Sequence, residues 1–85
     1  MNQFNKAVIR LKSLPKDYTY SEARTLLKKL GFCESTKGKT SGSRVMFIRM
    51  RDGFAILLHK PHPGDRMSFG ATRALKDALE RNGDI

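Results

Sequence analysis

The sequence is poor in cysteine, in acidic residues and in long apolar runs, and each shortage excludes a class of protein. A single cysteine, Cys33, cannot form an internal disulfide, which favours a reducing compartment. One cysteine and two histidines also lack the ligand number and spacing of a zinc site, so we expect no metal and no cofactor. No apolar run reaches the roughly 18 residues that a membrane helix needs, and the N-terminus lacks the apolar core of a signal peptide. We therefore expect a cytoplasmic protein without a membrane partner.

The charge is strongly one-sided. Lysine and arginine outnumber aspartate and glutamate by 17 to 8, so the net charge is +9 and the pI is about 10.2. Such an excess favours a polyanionic partner, either a nucleic acid or an acidic protein. The alternative is a basic surface that has no specific role. With 85 residues, the chain is expected to form one domain with a thin core, where any chemistry takes place in a shallow groove.

Three stretches have the apolar spacing and the caps of amphipathic helices. Thr19 and Glu22 form a capping-box pattern, and Ser68 can cap a later helix. Pro15 ends the first stretch because a proline disfavours helix at the residue before it. The predicted helices run over Gln3–Ser13, between Thr19 and Gly31, and over Phe69–Asn82.

Strand formers dominate the middle of the chain, where we predict strands over Phe32–Thr36, Arg44–Met50 and Phe54–His59 with a turn at Arg51–Gly53. The third strand is largely apolar on both faces, which predicts that it is covered on each side or central in the sheet. Cys33 is expected to be a small buried or half-buried side chain rather than a nucleophile. We assign all five phenylalanines to apolar faces of the core, at Phe4, Phe32, Phe47, Phe54 and Phe69.

This order of elements predicts an α+β fold. Three antiparallel strands have one face to bury, and the helices are the only elements that can cover it. The central α-β-β-β-α order is that of a double-stranded RNA-binding domain, a two-layer sandwich that contacts RNA through its shape, phosphates and 2′-hydroxyls. We expect a single domain over residues 1–85, with an N-terminal helical extension over 1–16 and the α-β-β-β-α core over 17–85.

The basic excess is concentrated in the sheet and its loops. Between Lys37 and Arg66 lie seven basic residues, opposed only by Asp52 and Asp65. The segment 37–43 offers backbone amides, hydroxyls and two lysines, which suit a phosphate, although an ordinary hairpin loop would have the same composition. The predicted RNA or phosphate contacts are Lys37, Lys39, Ser41, Ser43, Arg44, Lys60 and Arg66.

The two histidines are the candidate catalytic residues, because an imidazole can accept a proton near neutral pH. RNA cleavage needs a base to remove the 2′-hydroxyl proton and cations to stabilise the charge that develops at phosphorus. His59 is placed at the end of the third strand, on the face of Ala55 and Leu57, and beside Lys60. His62 lies between two prolines, where it is alternatively a turn residue whose ring bonds to the backbone.

Four segments resemble the HicA family, the small RNA-cleaving toxins of HicA–HicB toxin–antitoxin pairs. They are "LLKKLGF" at Leu26–Phe32, "KGKTSGSRVMF" at Lys37–Phe47, "HKPHPG" at His59–Gly64 and the closing "LKDALERNGDI". Their order and spacing cover most of the chain from Tyr20 to Ile85. The resemblance implies the double-stranded RNA-binding fold and a type II toxin that is a metal-independent mRNA endonuclease (an mRNA interferase). It also implies a HicB-like antitoxin as the partner.

The sequence departs from the family at one position. The catalytic histidine of the family follows the Gly-Ser turn by two residues, and Val45 stands there, which has no proton to exchange. His62 matches the family's His-Pro-Gly turn, and His59 lies outside the common pattern. Three hypotheses follow: a ribonuclease toxin with His59 or His62 as base, a non-catalytic RNA-binding module of the same fold, or a basic adaptor for an acidic protein.

Overall fold

We analysed a computed structural model that describes residues 2–35, 44–61 and 63–85. The helices and strands follow the order α-α-β-β-β-α. They are α1 (Gln3–Lys12), α2 (Tyr20–Lys29), β1 (Cys33–Ser35), β2 (Arg44–Arg49), β3 (Phe54–His59) and α3 (Phe69–Arg81). The strands form one antiparallel sheet in the order β1-β2-β3. The structure is therefore the predicted α+β arrangement, with the three strands between two helices and a further helix before them.

The predicted helix ends are confirmed because local hydrogen bonds set them. The backbone N–H of Glu22 donates to Thr19 Oγ1 at 3.1 Å, and the Thr19 N–H donates back to the Glu22 carboxylate at 3.1 Å. Ser68 Oγ accepts from the backbone N–H of Ala71 at 3.1 Å. Gly31 follows α2 with a φ of +94°, a conformation that suits glycine because it has no Cβ.

One face of the sheet packs against the helices and forms the core. Side chains alternate along a strand, so alternate residues of β2 and β3 share this face. Its members are Val45, Phe47, Arg49, Phe54, Ile56 and Leu58. They meet Leu26 and Leu27 of α2, Leu75 and Leu79 of α3, and the fully buried Leu11 of α1 in one cluster. The first helix therefore contributes directly to the core.

The opposite face of the sheet, called here the outer face, has no helix packed on it among residues 2–35, 44–61 and 63–85. Three predictions were wrong, two of them because of this open face and one at the start of α3. β3 is an edge strand, not a central or doubly covered one, and its Ala55, Leu57 and His59 are exposed. Cys33 is exposed because it lies on the outer face rather than in the core. Phe69 is also 48% exposed, since the buried stripe of α3 begins after it, at Thr72.

Arg49 is a buried arginine that ties three parts of the chain together. Its side chain is 2% exposed, and all five of its guanidinium N–H groups donate hydrogen bonds. Two reach the Asp84 carboxylate at 2.9 and 3.0 Å, two reach Asp52 at 3.1 and 2.9 Å, and one reaches the Leu30 carbonyl at 3.2 Å. The guanidinium also lies 4.6 Å from the centre of the Phe32 ring. The end of α2, the β2–β3 turn and the segment after α3 are thus joined at one cation.

A second arginine attaches α1 to the start of α2. Arg10 donates to both oxygens of Glu22 and to the Asp17 carboxylate, the last at 3.1 Å. Glu22 is the same carboxylate that completes the capping box with Thr19. Arg10 therefore couples the position of α1 to the cap of α2.

Replacing Arg49 by methionine should lower the free energy of unfolding by about 3–5 kcal/mol, because Asp84 would lose its cation in a largely buried site. The matched control is Arg51→Met, at an exposed turn position, which should change stability by less than about 0.5 kcal/mol. Urea unfolding followed by circular dichroism measures both. Equal stability of the two variants would contradict the structural role of Arg49.

The stability should fall in acid. Hydrogen bonds from Arg49 lower the pKa of Asp52, and those from Arg10 lower the pKa of Glu22. Burial alone would raise the pKa of Asp84, but hydrogen bonds from Arg49 and Asn82 bring it below its ordinary value. A carboxylate with a lowered folded-state pKa stabilises the protein above its unfolded pKa of about 4, and this stabilisation is lost as the pH falls through the folded-state value.

The urea midpoint should therefore drop between pH 6 and pH 2. The stability difference between Arg49→Met and Arg51→Met should shrink over the same range, because protonated Asp52 and Asp84 carry no negative charge for Arg49 to neutralise. A difference that stays constant down to pH 2 would show that these carboxylates do not depend on Arg49.

Candidate nucleic-acid interface

The predicted site residues of β2 and β3 meet at one end of the sheet. β2 begins with Arg44 and β3 ends with His59, and the register places these two residues directly opposite each other. Opposed residues of an antiparallel pair lie on the same face, here the outer face, with Cβ atoms about 5 Å apart. Both side chains are exposed. A cationic side chain and an imidazole thus share one patch of accessible surface.

Arg66 joins this patch through the segment that follows β3. A groove of about 300 Å³ is lined by both His59 and Arg66, together with Pro61, Pro63 and Ser68. Lys60 follows His59 directly and is exposed. We call Arg44, His59, Lys60 and Arg66 the basic end of the sheet.

Backbone hydrogen bonds hold the turn that carries Arg66 against α2. The N–H of Tyr20 donates to the Asp65 carbonyl at 2.7 Å, and the N–H of Met67 donates to the Tyr18 carbonyl at 2.8 Å. The Asp65 carboxylate accepts from the Ser21 N–H at 3.2 Å, at the N-terminus of α2, where the helix dipole favours a negative charge. The turn is therefore fixed, and its only carboxylate is directed to the helix.

Most acidic residues form ion pairs with arginines and lysines outside the basic end. All eight carboxylates of the chain lie in described residues, and seven form ion pairs with Arg10, Arg24, Arg49, Arg73 or Lys76. None belongs to the outer face of the sheet. The predicted basic surplus needs one correction, because Arg49 was counted in it and is buried in an ion-pair network instead. Arg44, Lys60 and Arg66 are the described cations of the basic end, and they give it a positive field.

The outer face itself is apolar between its ends. Met46 opposes Leu57 and Ile48 opposes Ala55, and Met46 and Leu57 are 37% and 44% exposed. Among the described residues of this face there is no phenylalanine, tyrosine or tryptophan, so it offers no aromatic ring on which a base could stack. Sequence reasoning missed this apolar face. The signal was the apolar character of both sides of the third strand, which was interpreted as a covered strand.

Five of the predicted site residues fall outside the described part of the chain: Lys37, Lys39, Ser41, Ser43 and His62. The residues that flank the segment 36–43 are Ser35 of β1 and Arg44 of β2, and both lie on the outer face near the basic end. Of the four described residues, the structure pairs Arg44 with His59 and places His59 and Arg66 in the lining of one groove, while Lys60 is exposed and follows His59 in the chain.

Val45, which the resemblance to HicA proteins aligns with a catalytic histidine, faces the core. It is half-buried, pairs with Leu58 and packs against the core cluster. Its side chain contributes to packing, so any proton transfer at the basic end has to come from another residue. His59, one residue from Leu58 but on the accessible face, is the imidazole among the described residues.

Tyr20 carries a buried polar group. Its ring packs at the start of α2, 6.4 Å from the centre of the Phe47 ring. Its hydroxyl is buried and has no hydrogen-bond partner among the described residues, and burial raises the pKa of Tyr20. An aromatic residue beside a capping box predicts a buried ring, but no sequence signal reveals an unpaired hydroxyl.

Two kinds of site are absent from the part of the chain that the structure covers. No three histidine, cysteine, aspartate or glutamate side chains there lie close enough together to hold a metal ion. None of the helices described above is long and apolar enough to span a membrane.

Comparison with known proteins does not assign the chain to a family. The sequence matches no protein-family model and no curated protein, and the structure matches no solved structure.

Proposed function

We propose that this protein is a HicA-type toxin that binds mRNA at the basic end of the sheet and cleaves it. The observation that carries the proposal is the pairing of Arg44 with His59 on an exposed sheet face that bears no carboxylate. Arg66 lines a groove with His59, and the exposed Lys60 follows His59 in the chain. The α-β-β-β-α order, which double-stranded RNA-binding domains share, supports an RNA substrate.

The proposed chemistry needs one base and several cations. His59 accepts the proton of a 2′-hydroxyl, the O2′–P bond forms, and the P–O5′ bond breaks. The products are a 2′,3′-cyclic phosphate and a 5′-hydroxyl, whose oxygen takes a proton from water. His59 gives its proton to the hydroxide that remains, so the water and the neutral imidazole are restored. Arg44 and Arg66 stabilise the charge on the phosphoryl oxygens as it develops. No metal takes part in this scheme.

We further propose that a HicB-like antitoxin neutralises the toxin by covering the basic end. The charge of the chain supports this partner, because a net charge of +9 attracts an acidic protein as well as RNA.

One observation favours a second function, RNA binding without cleavage. Val45 replaces the family's histidine with a side chain that is part of the core, and His59 stands at a different strand and on the other face of the sheet. A chain that has lost its base would keep its cations and its affinity for RNA.

The purified protein should cleave a labelled mRNA in the presence of EDTA and leave 2′,3′-cyclic phosphate ends, because the base is an imidazole. His59→Ala should reduce the cleavage rate by at least 100-fold, and His62→Ala, purified in parallel, tests the other imidazole. Cleavage at the wild-type rate in both variants would remove imidazole from the mechanism. An intact mRNA that is shifted on a native gel would favour the non-catalytic function.

Binding should depend on Arg44 and not on Arg51, which lies in the turn at the opposite end of the sheet. With a short labelled RNA hairpin, Arg44→Gln should lower the slope of log affinity against log salt by about 1, since one phosphate contact is lost. Arg51→Gln removes the same charge from another exposed position and is the matched control. Equal slopes for both variants would show that the whole basic surface, and not this end of the sheet, attracts RNA.

A further inference from the structure

The outer edge of β3 is available for pairing with another strand. β3 bonds to β2 on one side only, and in residues 2–35, 44–61 and 63–85 no backbone–backbone hydrogen bond joins residues 54–59 to α3 or to a loop. Only its first residue bonds to a turn, where the Phe54 N–H donates to the Asp52 carboxylate at 3.1 Å. Alternate N–H and C=O groups of an edge strand point away from the sheet. Proteins usually protect such edges with short strands, charges, prolines or bulges. β3 has six residues, continuous pairing with β2, and no lysine, arginine or proline.

A groove runs along this edge between β3 and α3. It has a volume of about 390 Å³, and all six residues of β3 line it. On the α3 side the lining is formed mainly by small side chains, at Ala71, Ala74 and Ala78. Ala74 and Leu57 are exposed. The alanines leave room beside the strand for a further backbone, and the floor of the groove is apolar.

The charges around the groove indicate which kind of ligand it would bind. Arg81 lines one end, and at the other end His59 and Ala71 also line the adjoining groove that contains Arg66. No carboxylate lines either groove. The nearby acids of α3, Asp77 and Glu80, are paired with Arg73 and Lys76. A segment with acidic residues near its two ends would therefore be complementary to the groove.

We propose that this groove binds an extended, acidic segment of a partner protein, which adds to β3 as a fourth strand of the sheet. The main chain of the segment would supply hydrogen bonds to the free edge, and its inward side chains would pack on the alanines of α3. Its carboxylates would pair with Arg81 and Arg66. The proposal needs neither RNA binding nor RNA cleavage, and it concerns the strand edge rather than the outer face of the sheet.

A second copy of the chain fits the groove less well. Pairing of two β3 edges would bring two grooves together, each with a cation at both ends and neither with a carboxylate in its lining. The net charge of +9 on each copy adds to the repulsion.

The test uses a fluorescein-labelled peptide, Glu-Glu-Val-Thr-Val-Thr-Val-Glu-Glu, and the full chain. Fluorescence anisotropy measures its affinity for the wild type, for Ala74→Arg and for Asn5→Arg. Ala74→Arg fills the groove, while Asn5→Arg adds the same side chain to an exposed position of α1. A control peptide carries prolines in place of the threonines and the central valine, so it lacks the donors of a strand.

We expect the labelled peptide to bind and the proline peptide to bind at least tenfold more weakly. Ala74→Arg should weaken binding at least tenfold although it adds a positive charge, and Asn5→Arg should change it less than twofold. The backbone amides of residues 54–58 should exchange more slowly with solvent when the peptide is bound. Circular dichroism checks that both variants remain folded.

Three results would overturn the proposal. Equal binding of both peptides would show attraction by charge alone, and an unchanged affinity of Ala74→Arg would place the peptide elsewhere. A dimer of the wild type that Ala74→Arg disrupts would assign the edge to a second copy. Because RNA affinity is measured separately, failure of the peptide to bind leaves the proposed RNA function untouched, and the converse also holds.

Discussion

The buried guanidinium of Arg49 is the interaction that fixes one end of this small sheet. Removing a cation from water is costly unless every donor finds a partner, and here five N–H groups reach two carboxylates and one carbonyl. Those partners lie in three separate parts of the chain, so the network forms only when the end of α2, the β2–β3 turn and the C-terminal segment are all in place. In a domain with a thin core, such a contact favours one arrangement of the helices and strands.

The Arg49 network stabilises the fold at one end of the sheet, whereas the other end is accessible to a ligand. Arg49 ends β2 and Arg44 begins it, about 17 Å away along the strand. At the Arg49 end, Asp52 and Asp84 neutralise the cation, whereas Arg44 lies at the exposed end of β2. Seven of the eight side-chain carboxylates form ion pairs with Arg10, Arg24, Arg49, Arg73 or Lys76, and exposed cations such as Lys60 and Arg66 are accessible to an anionic ligand.

The features that the sequence predicted are those set by near neighbours in the chain. The caps at Thr19 and Ser68 and the strand Phe54–His59 depend on local spacing, and the structure confirms them. The burial of Arg49 and the exposure of the outer face depend on contacts between distant segments, because only the number and placement of the helices decide which face is covered. The pairing of Arg44 with His59 can be predicted in part. It follows from the length of the β2–β3 turn, but only once β2 and β3 are known to form a hairpin.

A three-stranded sheet with its helices on one side leaves both a face and an edge without cover, and the two differ in what they can bind. A face offers side chains, so it suits a ligand recognised by charge and shape, whereas an edge offers backbone donors and acceptors, which suit another polypeptide. His59 belongs to both, since it ends the face beside Arg44 and lines the groove beside Ala71. If the two proposed ligands both contact His59, each must weaken the binding of the other by the same factor. Competition between RNA and a bound strand then follows from the position of one residue and requires no change in the fold.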